Sequence, residues 1–257
     1  MFFRGTKRAP TAGPFLVGPM KFLIFQHLAC EHPGIFRHCM AKAGVSQTVI
    51  ALDEGNVIPS LNDFDALIVL GGPMNVWDDA QFPWLQEEKA AIKKWVADLK
   101  RPYLGLCLGH QLLADALGGR CTWQDPPEIG VLDIALTSEA KRDPIFGHLP
   151  SRFKALQWHS VQIDVPPPGA TQLASSEECK WQAMRVGDNA WSVQFHIEIE
   201  AETIRTWGGV DVHRQVLTAE KGEGALEALD KMGERHMKEM NANASTIFEH
   251  FVKAIRV

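Results

Sequence analysis

A short apolar stretch that ends in a cysteine decides the fold: Pro102-Tyr103-Leu104-Gly105-Leu106-Cys107-Leu108-Gly109-His110-Gln111. Glycines stand two residues before and two residues after Cys107, and a helical pattern of leucines and alanines follows. This arrangement predicts a sharp strand-to-helix elbow, in which residues that pack against the turn lack a bulky Cβ. Such an elbow places the sulfur at the C-terminal edge of a sheet, before a helix N-terminus that favours the thiolate. The alternative is a buried cysteine ahead of an ordinary helix, because cysteine is often buried.

Around this elbow, the first half of the chain alternates strand and helix patterns. Strands are predicted over residues 21–26, 47–52, 65–70 and 102–106. Between them, one helix opens at Pro33 and closes at Gly44, and apolar residues at three- and four-residue spacing predict another from Trp84 to Leu99. Alternating βα units predict an α/β fold with a mostly parallel central sheet that helices cover on both faces.

The second half changes character. Short strand patterns crowd residues 120–195 and are interrupted by Pro126-Pro127. Strands 181–186 and 190–195 are joined by Gly187-Asp188-Asn189, which is a hairpin signal. From Gly224 onward, apolar residues recur at helical spacing, which predicts a C-terminal helical tail.

Length and composition favour one domain. The chain has 257 residues, 46% of them hydrophobic, which suits a single α/β domain with a large core. Residues 1–19 contain three basic residues, no acidic residue and several prolines and glycines. A strand pattern begins directly after Met20. We therefore expect residues 1–19 to be a disordered extension and residues 20–257 to form the domain.

Several classes of function lack a signal. The net charge is -5, and no basic patch indicates a nucleic-acid partner. No apolar run approaches the roughly 18 residues of a membrane span. Five cysteines without a close-spaced pair predict reduced thiols and a cytoplasmic location. No phosphate-loop or dinucleotide motif is present, so no cofactor is expected, and Cys107 with His110 supplies too few ligands for a metal site.

A second segment supplies the partners that a cysteine nucleophile requires: Ala190-Trp191-Ser192-Val193-Gln194-Phe195-His196-Ile197-Glu198. Residues i and i+2 of a strand point to the same face, so His196 and Glu198 are expected to stand together at a strand end. The carboxylate then holds the imidazole in one tautomer and stabilises its charged form. A lone His-x-Glu is common on protein surfaces, and this one indicates a catalytic role only because the Cys107 elbow is also present.

The third motif is Gly71-Gly72-Pro73, which follows the predicted buried strand over 65–70. Ligands of open α/β sheets bind at this edge, and glycines let backbone N–H groups approach them closely. The N–H groups of Gly72 and Leu108 are therefore candidates to hold a developing oxyanion. The alternative is a plain βα turn, which glycines also form.

Together, these three motifs resemble the class I (triad) glutamine amidotransferases, over roughly residues 20–200. The resemblance is greatest to stand-alone members similar to the amidotransferase domain of GMP synthase. It implies a flavodoxin-like three-layer sandwich and hydrolysis of a γ-glutamyl amide through a cysteine thioester. It implies that Cys107 is the nucleophile, His196 the base and Glu198 its orienting carboxylate, with an oxyanion hole of Gly72 and Leu108. Substrate contacts are implied for Gln111, Gly71, Ser160 and Val161.

One residue departs from the family pattern. The family usually has proline between the triad histidine and glutamate, where this chain has Ile197. Isoleucine suits a strand and keeps the alternation, so we expect the geometry of the pair to survive.

The interpretation that fits these motifs best is an enzyme that hydrolyses glutamine and passes ammonia to an unknown acceptor, and whose possible partner is a separate synthetase subunit. The first alternative is a γ-glutamyl peptidase or hydrolase that acts alone, which the lack of a synthetase motif favours. The second is a non-catalytic binding module, against which the presence of Cys107, His196 and Glu198 together argues.

Overall fold

The computed structural model describes residues 19–256, so the predicted extension lies outside the described residues apart from Pro19. In this part of the chain, nine strands form one sheet: β1 (Lys21–Gln26), β2 (Ser46–Ala51), β3 (Ala66–Val69), β4 (Tyr103–Leu106), β5 (Arg120–Leu136), β6 (Arg152–Val165), β7 (Ala170–Ser175), β8 (Ala183–Val186) and β9 (Ala190–Val193). The helices are α1 (Phe36–Ala43), α2 (Trp84–Lys93), α3 (Leu108–Ala116), α4 (Thr203–Gly208), α5 (Asp211–Lys221) and α6 (Ala225–Ile255). A π-helical turn, Lys94–Asp98, extends α2 to nearly its predicted end.

The sheet is mixed, with the strand order β2-β1-β3-β4-β9-β8-β7-β5-β6. Its first four pairings, from β2 to β9, are parallel. The other four are antiparallel. The expectation of a mostly parallel sheet is therefore not confirmed. Parallel neighbours need a crossover of a dozen or more residues. The short connections from β7 to β8 and from β8 to β9 return the chain in the opposite direction instead, and β5 pairs antiparallel with both β6 and β7.

The prolines predicted to interrupt the second half lie inside a long strand. β5 runs for 17 residues and includes Pro126 and Pro127. Its pairing with β6 shifts register between Trp123 and Glu128, so the prolines occupy an irregular stretch of the ladder. Proline is tolerated at such bulges because no ladder hydrogen bond is lost there.

Both faces of the parallel half are covered by helices, as the βα alternation predicts. Phe22 and Ile24 of β1 face one side, in a core shared with residues of α1 and α6 such as Phe36, Phe248 and Phe251. Leu23 and Phe25 face the other side, in a core shared with residues of α2 and α3 such as Leu85, Ile92, Leu112 and Leu113. The period-two alternation of β1 thus divides the hydrophobic core into two layers.

The C-terminal region contains three helices. α6 is 31 residues long and begins directly after Gly224, as predicted, and it packs Phe248 and Phe251 against Phe22 of the sheet. The two shorter helices, α4 and α5, lie on the side of the elbow. Within residues 19–256, none of the helices has the length and hydropathy that crossing a bilayer requires.

Candidate active site

Cys107 occupies the predicted elbow between β4 and α3. It precedes the first helical residue and has φ 48° and ψ -102°, a conformation that costs a non-glycine residue free energy. Its N–H donates to the carbonyl of Val193 at 2.8 Å, so the strained turn is tied to β9. The residue is 6% exposed. Backbone strain of this kind, held by its surroundings, is typical of functional sites.

The two flanking glycines are required by close backbone contacts. A Cβ on Gly105 would lie 2.7 Å from the carbonyl oxygen of Gly109, and a Cβ on Gly109 would overlap the carbonyl oxygen of Val69. Any side chain at these positions would therefore push α3 away from the sheet. The prediction that residues beside the turn lack a Cβ is confirmed.

His196 and Glu198 form a buried pair just after β9. The Nδ1–H of His196 donates to Glu198 Oε1 at 2.6 Å, since an ionised carboxylate only accepts. The N–H of Ile197 donates to the second oxygen, Oε2, at 2.9 Å. A proline at this position would lack that donor, so the departure from the family pattern adds a hydrogen bond that orients Glu198.

Electrostatics favour the charged form of His196. Burial alone would lower its pKa, but the Glu198 carboxylate and the nearby Cys107 raise the pKa well above its usual value. His196 and Cys107 both lie against Gly71, where a Cβ would be 2.9 Å from His196 Cε1 and 3.6 Å from Cys107 Cβ. The thiol and the imidazole are therefore poised for proton exchange.

The loop after β3 lies directly across from the elbow. A Cβ on Gly72 would be 2.9 Å from Leu108 Cδ2, so the two residues proposed for the oxyanion hole are in contact. Leu108 is the first residue of α3, and its N–H has no acceptor within the helix. Gly72 and Cys107 line the same cavity.

A second buried histidine, His27, braces this loop and was not singled out from the sequence. Its Nδ1–H donates to the carbonyl of Gly71 at 2.8 Å, and its Nε2–H donates to Glu88 Oε1 at 2.9 Å. Both ring nitrogens therefore face acceptor groups, an arrangement that favours the imidazolium form. Burial opposes this charge, but Glu88 raises the pKa of His27 above its usual value. His27 and Glu88 are 61 residues apart in the chain, which leaves no local pattern to detect.

The cavity in front of Cys107 contains most of the predicted substrate contacts. Gln111, Ser160 and Val161 line it, whereas Gly71 does not and only its neighbour Gly72 does. The amide of Gln111 donates to the Val161 carbonyl at 3.2 Å and to Gln194 Oε1 at 3.2 Å. Gln194 in turn donates to the Cys107 sulfur at 3.6 Å, a contact that the sequence motifs do not predict.

The far side of the cavity is formed by α5, an element that no sequence motif connects with the site. Its residues Val212, His213 and Val216 line the cavity together with Trp158 of β6. The sequence of α5 has an apolar face but no motif that indicates a binding site, so its place in the cavity wall is visible only in the structure.

Two other histidines considered from the sequence are held by internal hydrogen bonds. His110 contacts Ser192 Oγ and the Trp181 carbonyl, each at 2.8 Å, and burial lowers its pKa to about 3. His159 contacts Glu128 at 3.1 Å. Residues 19–256 hold no group of three or more His, Cys, Asp or Glu side chains arranged for a metal ion.

Comparison with known proteins places this geometry in context. The family model for glutamine amidotransferase class-I matches residues 35–206. A subunit of the glutamine-hydrolyzing GMP synthase of Sulfolobus acidocaldarius is 32% identical over 189 residues, which cover 72% of this chain and 93% of that protein. The glutamine amidotransferase-like protein YfeJ of Salmonella typhimurium is 29% identical over 221 residues, with coverages of 84% and 90%.

Solved structures agree with the sequence relatives. The crystal structure of a glutamine amidotransferase from Thermotoga maritima superposes with a TM-score of 0.81 at 25% identity, and the match covers 92% of this chain and 99% of that one. The structure of a glutamine amidotransferase from Methylobacillus flagellatus gives a TM-score of 0.77 at 27% identity, with coverages of 92% and 94%.

Proposed function

The chain belongs to the class-I glutamine amidotransferase family, and on that premise we propose that it hydrolyses a γ-glutamyl side-chain amide through a thioester on Cys107. The observation that carries this proposal is one cavity edge where a strained cysteine at a helix N-terminus meets the buried pair His196–Glu198. The helix terminus and the imidazolium both stabilise negative charge on the Cys107 sulfur.

In the first half-reaction, the Cys107 thiolate attacks the γ-carbonyl carbon of the substrate. The N–H groups of Gly72 and Leu108 stabilise the oxyanion as it forms. The protonated Nε2 of His196 gives its proton to the leaving nitrogen, the C–N bond breaks, and ammonia or an amine departs. The products of this step are a γ-glutamyl thioester and a neutral His196.

In the second half-reaction, water attacks the thioester while Nε2 of His196 takes one proton from it. The second oxyanion collapses and the C–S bond breaks, which leaves the Cys107 thiolate beside the imidazolium. The γ-carboxyl group of the product gives its remaining proton to solvent and departs as glutamate. Glu198 keeps Nδ1 protonated in both steps, so proton exchange is confined to Nε2.

Delivery of ammonia to a separate synthetase subunit is the first of two fates that we propose. Relatives that are subunits of GMP synthase support it. Trp77, in the loop after Gly72, and Trp123 are 39% and 59% exposed and contact each other edge to face at 5.2 Å. Exposed aromatic pairs of this kind suit protein contacts, and a partner that contacts Trp77 would act on the oxyanion loop.

Hydrolysis of a γ-glutamyl compound by the chain alone is the second fate. The observation that favours it is α5, because this helix lies beyond the region matched by the family model and yet lines the cavity. A site completed by its own chain has less need of a partner to close it.

The test compares the release of ammonia from glutamine with the release of amine from γ-glutamyl peptides by the purified full-length chain. Cys107→Ser serves as the control for turnover that depends on the nucleophile. Slow glutamine hydrolysis that a synthetase accelerates supports the amidotransferase, whereas fast peptide turnover with inert glutamine supports the lone hydrolase. Absence of turnover with every such substrate, with and without a synthetase, supports a non-catalytic module.

Three further expectations remain part of this proposal. Residues 20–257 form one domain, and residues 1–19 are an extension to it. The parallel strands β2-β1-β3-β4-β9 follow the 2-1-3-4-5 order of doubly wound folds, which supports a flavodoxin-like core. The five cysteines are all unpaired, which supports a cytoplasmic location.

A further inference from the structure

Glu31 is a buried carboxylate beside the reacting residues that the mechanism above does not use. It lies in the loop between β1 and α1 and is 5% exposed. Its Oε2 occupies the space next to Gly71 where a Cβ would also meet His196 Cε1 and Cys107 Cβ. The carboxylate therefore borders the same glycine as the imidazole and the thiol.

The hydrogen-bonding capacity of Glu31 is not used within the described part of the chain. Its Oε1 lies 3.3 Å from His213 Nε2, but the contact does not form a hydrogen bond, and neither Oε1 nor His213 Nδ1 has a partner among residues 19–256. The buried indole N–H of Trp158 is likewise without a partner there. Unsatisfied buried polar atoms are costly, so their presence next to a cavity indicates a polar ligand.

Aromatic rings surround His213, the residue that contacts this carboxylate. The His213 ring is centred 5.7 Å from that of Trp158 and 6.1 Å from that of Trp207, and Trp207 packs edge to face on His196 at 4.6 Å. The indole N–H of Trp207 donates to the carbonyl of Cys30, which fixes α4 against the loop that carries Glu31. A carboxylate among aromatic faces is the usual environment for an ammonium group.

The electrostatic surroundings of Glu31 are compatible with a bound cation. Burial lowers the pKa of His213 to about 4, so this ring is neutral at neutral pH and offers no positive charge. Burial raises the pKa of Glu31 itself to about 7, against the opposing effects of His196 and His27, while Glu198 adds to the rise. A cation bound at Oε1 would stabilise the ionised carboxylate.

We propose that Glu31, His213 and the rings of Trp158 and Trp207 form a leaving-group site that binds the departing amine as a primary ammonium ion. This inference rests on the proposed function, because it concerns the product of the first half-reaction. His196 supplies one proton as the C–N bond breaks, and the carboxylic acid of Glu31 then gives its proton to the free amine, which is a stronger base than the carboxylate. The ammonium ion is left beside the Glu31 carboxylate, which takes a proton from solvent after the ion departs. The ligand is ammonium itself if glutamine is the substrate, or an alkylammonium if the substrate is a γ-glutamyl amine.

The experiment measures protection of Cys107 in the full-length chain and needs no turnover. The rate of Cys107 modification by iodoacetamide is followed by mass spectrometry in ammonium, ethylammonium or sodium chloride at equal ionic strength. We expect ammonium or ethylammonium, but not sodium, to slow the modification. In Glu31→Gln, the concentration for half-protection should rise roughly tenfold or more, as for the loss of a charged hydrogen-bond partner. The exposed Glu54→Gln provides the matched loss of one carboxylate and should behave as the unaltered chain does.

The outcomes separate the alternatives. Stronger protection by ammonium indicates glutamine as the substrate, and stronger protection by ethylammonium indicates a substituted amide; either supports the site. Equal effects of all three salts, or unchanged protection in Glu31→Gln with only a lower melting temperature, would overturn the proposal in favour of a purely structural Glu31. If the glutamine variant fails to fold, Glu31→Asp replaces it, since a retracted carboxylate should also weaken protection.

The two proposals fail separately in this design. Protection by an ammonium ion without hydrolysis of any γ-glutamyl amide would contradict the proposed function and leave the cation site standing. Hydrolysis without protection would contradict the leaving-group site and leave the proposed function intact.

Discussion

Two buried histidine–carboxylate pairs, His196–Glu198 and His27–Glu88, both lie beside Gly71 and differ in the third group next to the ring. In His196–Glu198, Nδ1 donates to a carboxylate at 2.6 Å, and the ring lies beside Cys107, which helps to raise its pKa. In His27–Glu88, the two ring nitrogens are directed to a carboxylate at 2.9 Å and to the carbonyl of Gly71 at 2.8 Å. Both carboxylates raise the pKa of their histidine. The carboxylate therefore does not distinguish the two roles, and the third group does.

A thiol can return a proton, whereas a carbonyl oxygen cannot. His196 can thus exchange its proton with the nucleophile and the leaving group, while His27 is held between two acceptors. Both ring nitrogens of the fully buried His27 are occupied by Gly71 and Glu88, so neither is free to contact substrate. We infer that the first pair performs chemistry and that the second fixes the position of the oxyanion loop.

The largest expected effect comes from breaking the first pair. His196→Ala should lower kcat for amide hydrolysis by roughly 10³-fold or more, as deletions in other triads do, and Glu198→Gln should lower it less. Because the two side chains act as a unit, the double variant should resemble His196→Ala alone. Steady-state release of ammonia or amine measures all three. A double variant whose loss equals the product of the single losses would contradict a shared role.

Breaking the second pair should have a smaller effect on turnover. His27→Ala removes the donor to Gly71 and lets the oxyanion loop shift, for which we expect a loss of roughly 10-fold to 10²-fold in kcat. The thiolate should remain, so modification of Cys107 by a glutamine-like electrophile should stay rapid in His27→Ala and slow markedly in His196→Ala. Equal slowing in both variants would contradict the division of roles.

The same labelling experiment identifies the nucleophile. Burial raises the pKa of Cys121 and of Cys179 to about 12, and it also raises the pKa of Cys30 and Cys39, so these thiols are protonated at neutral pH. The electrophile should therefore modify Cys107 alone, and Cys107→Ser should remain unlabelled. Peptide mapping of the modified chain checks the site, and a label on any other cysteine would contradict the assignment.

The sequence predicts the first pair and not the second because only the first is local. His196 and Glu198 are two residues apart just after β9, whereas His27 and Glu88 are 61 residues apart in the chain. The elbow is equally local, since Gly105 and Gly109 act within four residues of each other. Glu31 and α5 reach the site only through tertiary packing. The same difference applies to the fold. Alternating strand and helix patterns predict the parallel strands from sequence, whereas the proline-containing β5 is continuous because it pairs with β6 along most of its length.

The pH dependence of stability should reveal the charge on His27. A histidine whose folded pKa is raised stabilises the fold fully below its unfolded value of about 6.5, and the contribution is lost as pH rises through the folded pKa. The pKa values of His27 and His196 are both raised, so both histidines stabilise the fold less as the pH rises, and the melting temperature should fall at alkaline pH. In His27→Gln this fall should shrink by roughly 3 °C for each unit by which folding raises the pKa of His27. It should not vanish, because His196 still contributes. Superimposable curves for the variant and the unaltered chain would contradict an imidazolium at His27.

The smallest expected effect concerns the hydrogen bond that distinguishes this triad from the family pattern. Ile197→Pro removes the N–H that donates to Glu198 Oε2 at 2.9 Å while leaving the His196–Glu198 contact in place. Loss of one such bond is worth about 1 kcal/mol, or roughly fivefold in kcat if Glu198 is less well oriented. Ile197→Val keeps the N–H and trims the same buried side chain, so it should cost stability without a comparable loss of kcat. The kcat values of the two variants are compared under conditions in which the same fraction of each is folded. If the proline variant matched the valine variant in kcat, the orientation of Glu198 would depend on His196 alone, and the two buried pairs would then differ only in the group beyond the ring.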